Sequence, residues 1–228
     1  LVSKVCNIQM VRLATQIIVG SYIGLPSPVP TLKESRFTHY GVKEAVFPFN
    51  MFPEVDPVLG PEMRSTGEVL GLGRTFGEAF FKAQEATKQS IPLSGTVLIS
   101  VSDRDKPEVI EVARGFADCG FKILATGGTY DLITRNGIPA EKIHKLNKGR
   151  PDIIDAITNK QIDIIVNTPI DKKGADDDSY IIKAAIKGRI SYVTTMAAAR
   201  ATIAGIKDIK HNKAAGVHSL QELHSHIQ

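Results

Sequence analysis

The apolar positions of this 228-residue chain follow two rhythms, and the change between them falls near the uncharged turn Ser90-Ile91-Pro92-Leu93-Ser94-Gly95. Beyond that turn, short apolar runs alternate with stretches whose apolar residues recur every three or four positions. The runs predict strands at Thr96–Val101, Lys122–Ala125, Ile143–Leu146, Ile162–Asn167 and Ser191–Thr194. The periodic stretches predict helices at Lys106–Cys119, Thr129–Asn136, Asp152–Thr158, Ser179–Lys187 and Thr195–Gly205, because a period near 3.6 gives a helix one buried stripe. The fold class is therefore α/β: residues 94–228 should form a five-stranded parallel sheet with helices on both faces. In such sheets ligands sit at the carboxyl ends of the strands, where the connecting loops gather.

Before the turn the pattern is less regular. Val2, Val5, Ile8, Val11, Leu13, Ala14 and Ile17 recur at helical spacing and predict one helix that stops at Gly20. Pro26, Pro28 and Pro30 then remove amide donors and exclude regular structure. Pro48, Pro53, Pro57 and Pro61 punctuate a loop-rich stretch, after which Thr75–Lys88 predicts a helix with Phe76, Ala79, Phe80 and Ala83 on one face. Residues 1–93 are expected to need further chain to complete their core. The sequence starts at Leu1 inside a helical pattern, with no initiator Met, and reads as a piece of a longer polypeptide.

Composition narrows the function classes. A 43% hydrophobic content fills a sizeable core and excludes a disordered chain. Lys and Arg outnumber Asp and Glu by 28 to 24, an excess too small to indicate a nucleic-acid or membrane partner. Cys6 and Cys119 stand far apart, which excludes a disulfide framework or a cysteine zinc site and suits the cytoplasm. No apolar run approaches the roughly 18 residues of a membrane span.

The strand ends hold the candidate chemistry. After the first strand comes Ser100-Val101-Ser102-Asp103-Arg104-Asp105-Lys106; after the second, Thr126-Gly127-Gly128-Thr129; after the third, Lys145 to Arg150; after the fourth, Asn167-Thr168-Pro169; after the fifth, Thr194-Thr195. Two glycines at a helix entrance let backbone amides approach an anion, and two threonine hydroxyls add donors. Lys106, Lys145 and Arg150 supply countercharge, so the edge describes a pocket for a phosphorylated small molecule. The same Gly-Gly turn also serves as an ordinary strand-to-helix connection with Thr as N-cap.

No catalytic constellation or metal set accompanies the pocket. Four of the six histidines, His211, His218, His224 and His226, crowd the last 18 residues, and His144 reads as a strand side chain. Asp176-Asp177-Asp178 is either a cation site or an acidic helix start that favours the macrodipole. Arg64 either lines an active site or pairs with Glu62 or Glu68 as a loop anchor.

The stretches Val42–Asn50, Phe52–Val69 and Gly73–Phe76 resemble the end of the second ATP-grasp half of the carbamoyl phosphate synthase large subunit. From Ser94 onward the chain resembles that subunit's C-terminal allosteric domain, which has the methylglyoxal-synthase-like fold. The resemblance implies two domains, 1–93 from the ATP-grasp half and 94–228 as the allosteric domain. It implies a ligase that makes carbamoyl phosphate, for arginine and pyrimidine biosynthesis, from bicarbonate, two ATP and ammonia delivered by a glutaminase small subunit. ATP, Mg or Mn, and K would serve that parent enzyme; the family's ATP and magnesium ligands lie upstream of the Val2-Ser3-Lys4 equivalent, so this stretch binds no cofactor and is inactive alone.

The resemblance further implies a regulatory site for UMP or IMP, ornithine near the junction, and self-association through the C-terminal domain. Carried over position by position, the nucleotide site falls on Ser100, Lys106, Thr126, Gly127, Gly128, Thr129, Lys145, Asn167 and Thr168, with no catalytic or metal residue. One departure is visible: bacterial members continue Asn-Thr-Thr-Ser-Gly where this chain has Asn167-Thr168-Pro169-Ile170-Asp171. The alternative is a stand-alone methylglyoxal-synthase-like or IMP-cyclohydrolase-like enzyme. Against it, the Gly-Gly-Asp-type loop of the former is absent, and Lys148-Gly149-Arg150-Pro151-Asp152 replaces the segment that follows the turn in the latter.

Overall fold

The computed structural model describes residues 1–29, 36–47, 49, 51, 64–168, 175–211 and 216–227, apart from the side chains of 175–178. In chain order the elements are α1 (Val2–Cys6), α2 (Met10–Ile23), β1 (Tyr40–Val46), β2 (Gly67–Gly73), α3 (Phe76–Ala86), β3 (Thr96–Ser100), α4 (Lys106–Asp118) and β4 (Lys122–Thr126). There follow α5 (Gly127–Arg135), β5 (Glu141–Ile143), α6 (Ile153–Thr158), β6 (Ile164–Asn167), α7 (Ala175–Gly188), β7 (Ser191–Val193), α8 (Met196–His211) and α9 (Leu220–Ser225). The five strands β3 to β7 make one parallel sheet in the order β5-β4-β3-β6-β7. Because β4 lies on one side of β3 and β6 on the other, the strand order reverses between β3 and β6, where a crevice opens for ligands.

Alternation along each central strand feeds two cores. Val97 and Ile99 of β3, Ile123 and Ala125 of β4, and Ile164 and Val166 of β6 face one cluster with Val109, Val112 and Phe116 of α4 and Ile203 and Ile206 of α8. Leu98 and Ile165 face the other, with Ile153 and Ile157 of α6 and Ile181 and Ala185 of α7. Both faces are buried, which is why these strands read as unbroken apolar runs.

Several boundaries differ from the sequence reading for identifiable reasons. The predicted first helix is two helices, broken at Asn7, which adopts a left-handed conformation at φ 53°. The second passes straight through Gly20 and ends at Gly24, which caps it at φ 73°. Strand β5 stops at Ile143, short of Leu146, because the His144 backbone turns to pair with the Pro151–Ile153 segment. Helix α5 starts at the glycines, two residues earlier than expected, and α7 starts at Ala175, so the acidic run occupies its first turn. On α3 the buried set is Gly77, Ala79, Phe81 and Ala83, while Phe76 is exposed.

Strands β1 and β2 form an antiparallel pair, Tyr40 opposite Gly73 through Val46 opposite Gly67. Helix α3 packs on β2 and also on α8, so Phe81 and Ile91 lie in the larger core of the parallel sheet. The α3–α8 crossing is close: a Cβ on Gly77 would stand 2.6 Å from the Ala204 carbonyl oxygen. Thr75 caps α3 by accepting from the Glu78 amide and donates to Asp208 of α8 at 2.5 Å. The C-terminal segment returns to the same region, where His224 Nε2 meets the Lys4 carbonyl and Lys82 donates to the Gly216 carbonyl.

Helix α2 carries a single charge, Arg12, yet Val11, Ile18, Val19, Tyr22 and Ile23 are all exposed. Of the partners expected for Arg64, Glu62 lies outside the described residues and Glu68 pairs with Lys43 at 2.7 Å. The proline-rich stretch 52–63 and the departure at Pro169, Ile170 and Asp171 also lie outside the described residues.

Candidate functional site at the strand carboxyl ends

The sheet brings five of the expected residues into one buried cluster beside the crevice between β3 and β6: Ser100, Thr126, Thr129, Asn167 and Thr168. Each of the five takes part in a hydrogen bond that joins neighbouring strands or loops. Thr126 donates its hydroxyl proton to Ser100 Oγ at 2.9 Å, across the β3–β4 pairing. The Val101 amide donates to Thr129 Oγ1 at 3.4 Å, and the Ser102 amide donates to Thr168 Oγ1 at 2.9 Å. Asn167 Nδ2 donates to the Tyr192 hydroxyl of β7 at 2.9 Å.

Thr126 stands at the N-cap position of α5, but its side chain makes no capping bond. The turn is thus a strand-to-helix connection with Thr at the N-cap position, as the ordinary reading expects, but the hydroxyl is turned to β3 and leaves the first amides of the helix without a side-chain cap. Gly127 adopts φ +36°, a region that costs a side-chain-bearing residue energy and glycine little. Lys106 supplies the charge above this entrance, its ammonium only 3.2 Å from the Cβ position of Gly128.

Lys106 opens α4 directly after a tight 3-10 turn, Asp103–Asp105, and that turn carries the carboxylates of the site. Exposed Asp103 contacts the Lys106 ammonium at 2.5 Å. Hydrogen bonding and charge from Lys106, with a further contribution from Lys145, hold its carboxyl below the usual range. Lys145, from the loop after β5, exerts only a weaker Coulombic influence there.

Asp105 is buried and accepts from Ser102 Oγ at 2.8 Å and from Arg104 Nε at 3.3 Å. The Thr168 hydroxyl is the chief cause holding its carboxyl down; burial opposes it, and Ser102 and Arg104 add to it. Asp105 therefore ties the β3 loop to the end of β6. Sequence reasoning listed Ser102 and Asp105 only as loop members and did not single out Tyr192. The signal for the first two was their i, i+3 spacing ahead of a helix; for Tyr192 there was none, because its role depends on β7 lying beside β6.

Next to Lys145 in the chain, an open hollow of about 420 Å³ is lined by Leu146, Asn147, Arg150, Asp152, Ile154, Asp155 and Tyr180. Arg150 pairs with Asp155 there at 3.1 Å. Asp152 and Asp155 form a capping box at the start of α6, so the acidic side chains facing the hollow are structurally committed. Among the described residues, no three His, Cys, Asp or Glu side chains are grouped to hold a metal ion, and no helix is long and apolar enough to cross a membrane.

Comparison with known proteins agrees with this architecture. Residues 108–194 match the MGS-like domain family. The carbamoyl phosphate synthase large chain, C-terminal section, of Aquifex aeolicus is 40% identical over 98% of this chain and 45% of its own length. The corresponding section of Methanopyrus kandleri is 42% identical over 98% of this chain and 42% of its own. The large chain of Archaeoglobus fulgidus is 43% identical over 98% of this chain and 20% of its own, so the chain spans less than half the length of these relatives. A methylglyoxal synthase structure from Elizabethkingia anophelis NUHP1 aligns at a TM-score of 0.42 and 19% identity, covering 50% of this chain and 79% of that one. Residues 108–194 thus match the MGS-like domain family, and the chain is similar over nearly its whole length to the C-terminal section of carbamoyl phosphate synthase large chains.

Proposed function

We propose that this chain is the regulatory, nucleotide-binding portion of a carbamoyl phosphate synthase large chain. The parent enzyme makes carbamoyl phosphate from bicarbonate, ATP and ammonia supplied by a glutaminase subunit in the cytoplasm. Likeness at 40–43% identity over 98% of the chain supports the parent assignment. Helix α2 supports it too: a helix apolar on all sides belongs inside a core, and exposed Val11, Ile18, Val19, Tyr22 and Ile23 call for more protein around them.

The observation that carries the ligand assignment is Lys106 poised over the uncapped Gly127–Gly128 entrance of α5. Uncapped amides, the helix dipole and an ammonium together favour a dianionic phosphate. In this reading the phosphate of UMP or IMP sits at residues 126–129 between Lys106 and Lys145. The hollow lined by Leu146, Asn147 and Tyr180 has room for the nucleoside, within the range typical of ligand pockets. In this reading the ATP and divalent-ion chemistry of the parent belongs to the part of the large chain that the resemblance places upstream of the Val2-Ser3-Lys4 equivalent. The 228-residue chain alone then hydrolyses no ATP. Ornithine binding near the junction and self-association through the sheet domain belong to the same proposal.

Isothermal titration of the chain with UMP, IMP, ornithine and inorganic phosphate tests the reading. Saturable binding of a nucleoside monophosphate, weakened by Thr126→Ala and Lys106→Ala, is the expected result. Binding of none of the four, or bicarbonate-dependent ATPase activity in the isolated chain, overturns it.

A further inference from the structure

Lys106 already has an anion. Its ammonium, over Gly128, is held at 2.5 Å by Asp103, three residues earlier in the 3-10 turn. That carboxylate is 92% exposed, and among the described residues it takes no hydrogen bond other than the one from Lys106. Asp103 therefore sits where an incoming phosphate oxygen would have to contact the same ammonium. Asp105, the other carboxylate of the turn, is buried and bound by Ser102, Thr168 and Arg104, and is not free to take that place.

We infer that Asp103 is a built-in competitor that occupies Lys106 in the unliganded protein and weakens anion binding at the strand edge. The inference rests on reading that edge as an anion site. Three features make the exchange feasible. An exposed carboxylate regains full hydration when it swings away, so release costs little. A phosphate that replaces it gains the α5 amides as well as the ammonium, which the carboxylate on its short turn does not use. A weaker Coulombic influence of Lys145 reaches the same carboxylate, so the edge offers a second cation to a dianion. Asp103 thereby sets a threshold: a singly charged anion gains little by exchanging one carboxylate for another, whereas a phosphate monoester gains charge and donors together.

The test is titration of the parent chain, Asp103→Asn and Asp118→Asn with inorganic phosphate and with UMP at low and high salt. Asp118 is another exposed carboxylate, at the far end of α4 and paired with Lys207, and its variant changes net charge by the same amount. Asp103→Asn should bind phosphate and UMP about two- to five-fold more tightly than the parent at low salt, and the ratio should approach one in 0.5 M salt as the ion pair is screened. Asp118→Asn should match the parent. Equal or weaker binding by Asp103→Asn beside a binding parent overturns the inference while leaving the anion site intact, since Asp103 would then be orienting Lys106. Equal tightening by both variants also overturns it, by assigning the effect to net charge. A parent that binds nothing while Asp103→Asn binds supports it; no binding by any of the three overturns both the inference and the anion site.

Discussion

Replacing Gly77 with Ala tests whether α3 belongs mechanically to the parallel-sheet domain. The new Cβ would stand 2.6 Å from the Ala204 carbonyl oxygen of α8 and would also run into the Asp208 carboxylate. The Asp208 carboxylate can swing away at the cost of its hydrogen bond to Thr75, but the Ala204 carbonyl is helix backbone and cannot yield by a rotamer change. The two helices must therefore separate, and overpacking of this kind costs about 1–3 kcal/mol. Loss of the Thr75–Asp208 hydrogen bond adds about 1 kcal/mol, while the better helix propensity of alanine returns about 1 kcal/mol. The net expectation is a loss of about 2 kcal/mol, or roughly 4–8 °C in Tm for a chain of this size. Urea denaturation followed by circular dichroism would measure it. Gly67→Ala in β2 is the control, because its Cβ would meet nothing within 4 Å and should be neutral or slightly stabilising. Gly77→Ala as stable as the parent would refute the crossing.

Four further outcomes follow from the same contacts. Asp105→Ala should lose about 1–3 kcal/mol by urea denaturation, because it leaves the buried Ser102 and Thr168 hydroxyls without their acceptor; an unchanged midpoint would remove Asp105 from the loop's support. Thr126→Ala should weaken UMP binding by about 1 kcal/mol, as for one hydrogen bond, and calorimetry showing parental affinity would displace the ligand from this turn. Residues 65–228 should be more stable than residues 94–228, which lack Phe81 and Ile91; equal denaturation midpoints would show that α3 adds nothing to the sheet core. For Glu78, burial raises the carboxyl, but Lys82, the Arg74 amide and His218 outweigh it and hold it below 4.5. Its contribution is therefore present above the unfolded value and lost as pH falls through the lower folded one, so the gap between parent and Glu78→Gln, read by denaturation across pH, should be open at pH 7 and narrow as pH falls below the ordinary glutamate range.

The sheet was legible in the sequence because Val97–Ile99 and Ile164–Val166 are buried on both faces and so appear as unbroken apolar runs. Elements that end through backbone pairing elsewhere were not: nothing in Ile143–Leu146 announces that His144 will turn toward Pro151. Likewise Gly20 looked like a stop and Asn7 did not, because either residue can sit in a helix or end one, and packing against Leu25 decides for Gly20. At the candidate site, the glycines and threonines of 126–129 stood out as a local motif. Asp105 and Tyr192 matter through partners on β6, which local spacing does not encode.

A different set of glycines sets how rigidly the helices are joined. Helix α4 begins at Lys106 and meets α8 where Gly115 lies against Ile203; α8 meets α3 at Gly77 and Gly205; α3 meets β2 at Gly71 and Gly73. At the last two junctions the neighbour is backbone, so a shift there cannot be absorbed by a side chain changing rotamer. Only Ile203, at the first junction, has that freedom. A ligand that moved the start of α4 by a few tenths of an ångström would therefore be damped most at Gly115–Ile203 and least between α8 and β2.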